Sequence, residues 1–215
     1  EIVLCDWSSD VCSSDLSQNL EGALATLPGA RIVCPSFADD AAGLLRTSIR
    51  SRGFTLFIEP KALYNSVEAA AIVPDDFEVP FGKARIRREG SDLSIITYGN
   101  TTHFCFNVAE RLEKEGGWSV EVIDLRPLIP LDKETIYASV KKTSKALVVH
   151  EDKVFSGFGA EIAAGIGTEL FRYLDAPVQR VGSVFTPVGF HPILEKAILP
   201  TEDKIYYAAR TLLEY

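Results

Sequence analysis

Apolar residues along this chain follow two alternating periods. Arg31–Cys34 (RIVC) and Thr55–Ile58 (TLFI) are short apolar runs, the signature of buried strands. Before the first, Leu20, Ala23, Leu24 and Leu27 repeat at helical spacing after a candidate N-cap, Ser17, and Pro28-Gly29 ends the pattern. Between the two runs, Ser36 and Asp39 have the spacing of a capping box. The helix they open is expected to bury Ala41, Leu44, Leu45 and Ile49 until Gly53 breaks it.

A polar stretch at 65–82 follows, carrying Pro74, Pro80, Asp75, Asp76 and Glu78, and it reads as an interdomain linker with its acids in water. Lys83–Arg88 alternates as an edge strand would. Strand and helix then alternate four times. The strands are Ser94–Tyr98, Val120–Asp124, Ala146–His150 and Val178–Gly182, and the helices fall near 101–115, 132–143, 157–173 and 201–214. Val, Ile and Leu crowd these strands, as a sheet covered on both faces requires. Phe104, Cys105, Val108, Ala109 and Leu112 stripe one helix. Ile205, Ala208, Ala209, Leu212 and Leu213 stripe another, capped by Thr201. The fold class is therefore α/β, with a doubly wound, mostly parallel sheet in the second part.

Residues 1–16 interrupt this regularity. Ser-Ser-Asp occurs twice there, neither period is present, and the segment reads as foreign or disordered. Its Cys5 and Cys12 have no further Cys or His at ligand spacing. No metal site is expected.

Composition narrows the class. The chain has 215 residues, 47% hydrophobic, with net charge −8. An acidic balance argues against nucleic acid, and no apolar run reaches the roughly 20 residues of a membrane-spanning helix. With no Met anywhere, the chain reads as a fragment or a processed product. Cys34 and Cys105 sit in apolar patterns and read as reduced core residues of an intracellular protein.

Candidate chemistry is sparse. His150-Glu151-Asp152 ends a strand, where α/β folds place sites, but the simpler reading of His150 and Glu151 is an interface or loop anchor. Gly157-Phe158-Gly159 opens a helix without the third glycine of a dinucleotide fingerprint, which leaves a Rossmann-type nucleotide binder as a weak alternative. Neither a hydrolase elbow nor a P-loop occurs.

From Ser17 to Tyr215 the chain resembles the β subunit, or the C-terminal part of a fused α–β chain, of the decarboxylating component of 2-oxoacid dehydrogenase complexes. The matching stretches are SQNLEGALATLPGARIVCPS, DDAAGLLRTSIR, LFIEPKALY, VPFGKARIRREGSDLSIITYG, VEVIDLRPLIPLDKETI, ALVVHED with GFGAEIAA, and TPVGFHP. The resemblance implies that residues 17–65 are the back half of a pyrimidine-binding domain, 66–83 a linker, and 84–215 a complete transketolase-like C-terminal domain. It implies an enzyme using thiamine diphosphate and Mg²⁺, with acyl transfer to a lipoyl domain from a branched-chain 2-oxoacid or pyruvate. Expected partners are an α subunit or fused α half, a second β subunit in a heterotetramer, and the dihydrolipoyl acyltransferase core, in bacterial cytoplasm or the mitochondrial matrix.

Three departures accompany it. The family's thiamine-activating Glu lies upstream of the matched region, and its Gly-Asp-Gly diphosphate motif lies on the partner domain. The family's active-site His precedes a Ser-Gln pair, which here is Ser17-Gln18. Leu16 stands in the His position, so no catalytic residue is carried over, and Ser17 and Gln18 remain as cofactor-pocket wall. Ser51 replaces the acid of a potassium-binding turn at 48–53, so that cation is not carried over either. The chain alone is expected to be inactive, with the sheet of its first part left open at an edge. Alternative readings are another transketolase-type enzyme, for ketol transfer or deoxyxylulose-phosphate synthesis, and a non-catalytic scaffolding module.

Overall fold

The computed structural model describes residues 2–5, 18–189 and 191–215. Two sheets share one continuous core. In the second and larger sheet the parallel strands are β5 (Leu93–Thr97), β6 (Val120–Asp124), β8 (Ala146–Lys153) and β9 (Gln179–Ser183). β4 (Arg85–Arg88) pairs antiparallel with β6 at one edge, giving the order β4-β6-β5-β8-β9. Side chains alternate across this sheet. Leu93, Ile95, Val120, Val122, Leu147 and Val149 pack under α3 (Thr101–Gly116) and α7 (Glu202–Leu213). Ile96, Ile123, Ala146 and Val148 face α4 (Lys133–Thr143) and α5 (Gly159–Glu169). Continuous apolar strands arise because both faces are covered. Thr201 caps α7 as expected, its hydroxyl accepting from Lys204 N.

The smaller sheet has the order β1-β3-β2-β7, with β2 (Arg31–Val33) and β3 (Thr55–Ile58) parallel. β7 (Pro127–Ile129) comes from the second part of the chain and pairs antiparallel with β2. Ile32, Cys34, Leu56 and Leu128 pack into the same cluster as α4 and α5, so the two parts bury one hydrophobic surface between them. On the outer face, α2 (Ala38–Arg50) covers β2 and β3, and Leu44 meets Val33, Phe57 and Val79. Val79 belongs to the proline-bearing stretch, so that run is strapped across α2. Ala69 O accepts from Ala38 N, and exposed Asp75 and Asp76 stay in water as expected.

Several expectations are corrected. Residues 2–5 are not irregular: Ile2–Cys5 forms β1, parallel to β3. The free hydrogen-bonding edge of β3 templates a strand from four residues, too few to show a period, and that edge is thereby covered. The first helix shortens to α1 (Glu21–Leu24), and Leu27 is exposed. Ser36 does not cap α2; its hydroxyl turns inward to Asp124 (3.0 Å) and Thr102 (2.9 Å). α2 buries Asp40, Gly43, Leu44 and Ser48, while Ile49 is exposed, because a charge network rotates the helix. The helix near 157–173 breaks after Glu169 into a 3₁₀ turn at Phe171–Tyr173. β7 and α6 (Pro192–Ile198) carry no clear period and were not expected.

The network joins the two parts. Asp40 of α2 is fully buried, and its carboxylate meets Arg87 of β4 and Arg126 Nη1, the latter at 2.9 Å. Arg87 also pairs with Asp124 at 2.9 Å and lies over the Phe37 ring at 4.0 Å. Arg126 Nη2 donates to Lys83 O (2.8 Å) and Ala84 O (3.1 Å). Burial pushes the Asp124 carboxyl above its usual range, with Arg87 opposing. Removing one member of such a network strands the others in the interior. Asp40→Ala is therefore expected to cost roughly 3–5 kcal/mol in urea unfolding. A loss below about 1 kcal/mol would show that these charges reach water.

Candidate functional site

The order of the parallel strands places a topological switch at β5 and β8. From β5 the chain moves outward to β6, then returns across β5 to β8. In open α/β sheets the crevice at the carboxyl ends of such strands is the usual ligand site. Here those ends carry Tyr98-Gly99-Asn100 and His150-Glu151-Asp152. They are tied across the switch by Asn100 Nδ2 donating to Glu151 Oε1 at 3.1 Å.

The crevice is filled by the chain itself. Asp152 Oδ2 accepts from Gly22 N (3.0 Å) and Phe158 N (3.2 Å), and its Oδ1 accepts from Lys153 N (2.8 Å). Gly22 fits so closely that a Cβ there would lie 2.7 Å from Ser156 O. Cys34 approaches from β2 and touches the Gly99 turn, whose φ is 61°. Asp152 thus takes the Phe158 amide just before α5, beside the helix end where a nucleotide phosphate would sit.

Glu21 is sealed beside this joint. Its Oε1 accepts from Asn19 (3.0 Å), and Oε2 has no partner among the described residues. Burial, reinforced by the Asp152 charge, pushes its carboxyl up to about 8. His150 is buried with neither ring nitrogen hydrogen-bonded among the described residues, and burial pulls its imidazole down to about 4. Its ring lies parallel to that of Tyr98, with centroids 6.3 Å apart. Tyr98 Oη is likewise unpartnered, and burial raises its pKa.

The structure places His150 and Glu151 in the carboxyl-terminal half of β8, which runs on to Lys153. Glu21, Gly22 and Tyr98 carry no motif that singles them out: Glu21 falls beside the stripe of Leu20, Ala23, Leu24 and Leu27, in a first helical turn where an acid is ordinary. Gln18 is half-buried just before α1. Leu16, Ser17 and Cys12 lie outside the described residues. Ser51 ends α2, its hydroxyl donating to Ser48 O at 3.0 Å. The other histidines serve local structure. His103 Nε2 contacts Ser36 O at 2.8 Å, and His191 caps α6. No group of three or more His, Cys, Asp or Glu able to hold a metal ion occurs among the described residues. No helix among them is long and apolar enough to cross a membrane.

Two clefts flank this region. One, of about 460 Å³, runs between Gly22, Ala25 and Thr26 on one side and Ser156, Gly157 and Phe158 on the other. A second, of about 270 Å³, opens at the ends of β2 and β3 and is lined by Phe37, Pro60, Leu63 and Tyr64.

Together the fold and the joint define a doubly wound α/β domain whose switch point is stoppered by a second, smaller sheet unit. Residues 82–205 match the family described as transketolase, C-terminal domain. The chain belongs to that family. It is 40% identical over 200 residues to the 2-oxoisovalerate dehydrogenase subunit beta of Bacillus subtilis, covering 93% of this chain and 61% of the relative. It is 41% identical over 199 residues to a pyruvate dehydrogenase E1 component subunit beta of Staphylococcus aureus, covering 93% and 60%. The chain thus spans about three-fifths of the length of these relatives. Among solved structures it superposes on a split-gene transketolase, described as an inactive beta4 tetramer. The TM-score is 0.77 and the identity 19%, over 94% of this chain and 64% of that one. A transketolase from Pichia stipitis follows with TM-score 0.58 and 12% identity, over 89% and 26%. These structural likenesses concern the fold.

The fit of His150 is testable. A Cβ on Gly159 would overlap His150 Nε2. Gly159→Ala is expected to cost roughly 1–3 kcal/mol by overpacking. In the His150→Ala background the added methyl enters vacated space, so a double-mutant cycle in urea should show a coupling of at least about 1 kcal/mol. Additive losses would mean that the two do not touch.

Proposed function

We propose that this chain is part of the β subunit of the decarboxylating component of a 2-oxoacid dehydrogenase. The observation that carries the reading is identity of about 40% over 93% of the chain to β subunits of two such enzymes. The reaction assigned to the whole assembly is oxidative decarboxylation of a 2-oxoacid, with acyl transfer to a lipoyl group. The two relatives act on different 2-oxoacids by name and differ by one percentage point in identity, so both branched-chain acids and pyruvate belong in the assay.

In this proposal the chain supplies structure more than chemistry. Thiamine diphosphate, when bound, supplies the carbanion equivalent that attacks the 2-oxo group. The diphosphate and Mg²⁺ are assigned to an α subunit or fused α half, as the family resemblance implies. Ser17 and Gln18 form part of the pocket wall at the junction with that partner. His150 and Glu151 anchor the loop that receives Gly22. A second β subunit and the acyltransferase core complete the assembly. The bacterial relatives favour the bacterial cytoplasm as its compartment.

The test is decarboxylation of 3-methyl-2-oxobutanoate and of pyruvate with thiamine diphosphate and Mg²⁺. Turnover is expected when a full-length β subunit containing this sequence, with Leu16→His, is paired with its α subunit. Retention of Leu16 is expected to lower it by about 10²-fold or more, the usual contribution of a proton-transferring side chain. Turnover by this chain alone would contradict the assignment of the chemistry to the partner.

A further inference from the structure

At the stoppered switch point the backbone beside Glu21, in the first part of the chain, docks onto the carboxylate of Asp152 in the second. Asp152 lies on β8 and accepts from the amide of Gly22, the residue next to Glu21. Glu21 is 2% exposed and has one carboxyl oxygen without a partner among the described residues. The groups that act on Glu21 are Asp152 and Glu151 from β8, with Asn19 from its own segment. Glu21 acts in turn on Cys34 at the end of β2 and on Tyr98 after β5. All of these are acidic or uncharged at neutral pH. Arg180 of β9 acts on His150 and donates to Val154 O. An ionised Glu21 would thus be acted on by another carboxylate and, among the described residues, by no cation, in a site closed to water.

We propose that protonated Glu21 is the latch that docks residues 18–26 onto the turn at 152–158, and that its ionisation releases them. Release widens the 460 Å³ cleft, because Gly22, Ala25 and Thr26 form one wall and Ser156, Gly157 and Phe158 the other. The device is a pH-gated joint at the switch point. It requires only this geometry and goes beyond the enzymatic assignment.

The sign follows from linkage. Docking raises the Glu21 carboxyl from its ordinary 4.5 to about 8. The docked state binds the proton more tightly, so docking is strongest below 4.5. It weakens about tenfold per pH unit up to about 8 and is level above that. His150, held down to about 4, is uncharged in the docked state across that window above 5.

The experiment is amide hydrogen exchange read by mass spectrometry between about pH 5.5 and 7.5, corrected for intrinsic exchange rates. Peptides covering 18–27 and 152–160 should lose about 100-fold in protection across that range, with core peptides from β5 and β6 unchanged. In Glu21→Gln the same peptides should hold their protection to within about threefold, since no proton is left to lose. Wild-type protection that stays constant, a parallel fall in Glu21→Gln, or an equal fall in the core peptides would each overturn the latch. Should Glu21→Gln fold poorly, Asp152→Asn decides. Removing the facing charge should move the levelling point of the protection curve to lower pH, and an unmoved levelling point refutes the proposal.

Discussion

Asp40 sets the constraint on which this structure depends. A carboxylate with no access to water must be neutralised where it lies, and its guanidinium partners, Arg87 and Arg126, belong to the second part of the chain. α2 therefore cannot turn to bury Ile49, as its apolar pattern alone would favour. It turns to deliver Asp40 instead, and the covering of its face falls to Gly43, Leu44 and the strap that carries Val79. β7 extends the same joint by hydrogen-bonding a strand of the second part into the sheet of the first.

A second consequence appears at the switch point. The crevice that an open α/β sheet usually offers to a ligand is closed by Glu21 and Gly22, and Asp152 takes the amides of Gly22 and Phe158. His150, a tempting base from its position at a strand end, is buried, uncharged near neutral pH and fitted against Gly159. Such a site is built to position a segment. The proposed β-subunit role assigns the reactive groups to elsewhere in the assembly.

Much of the fold was legible in the residues, for physical reasons that can be named. β5, β6, β8 and the stripes on α3 and α7 are governed by burial on a regular lattice, and period alone locates them. What escaped was set by partners distant in sequence. Ser36 reads as a cap because Asp39 lies three residues on, yet its hydroxyl is taken by Asp124 and Thr102 from the other part. β1 and β7 are short strands that exist because β3 and β2 offer unpaired edges. The joint itself was half visible: His150 and Glu151 drew notice as polar residues ending an apolar strand. Glu21 reads as an ordinary acid in a first helical turn, beside the apolar stripe, and its burial comes from the second part of the chain.

The central claim is that both parts of the chain, although they read as two domains, form one cooperative unit through the Asp40 network and the shared core. Scanning calorimetry tests it most directly. The account predicts a single transition with calorimetric and van't Hoff enthalpies in a ratio near one, moved to lower temperature as a whole by Asp40→Ala. Two resolved transitions, with only the smaller one shifted by that substitution, would contradict it.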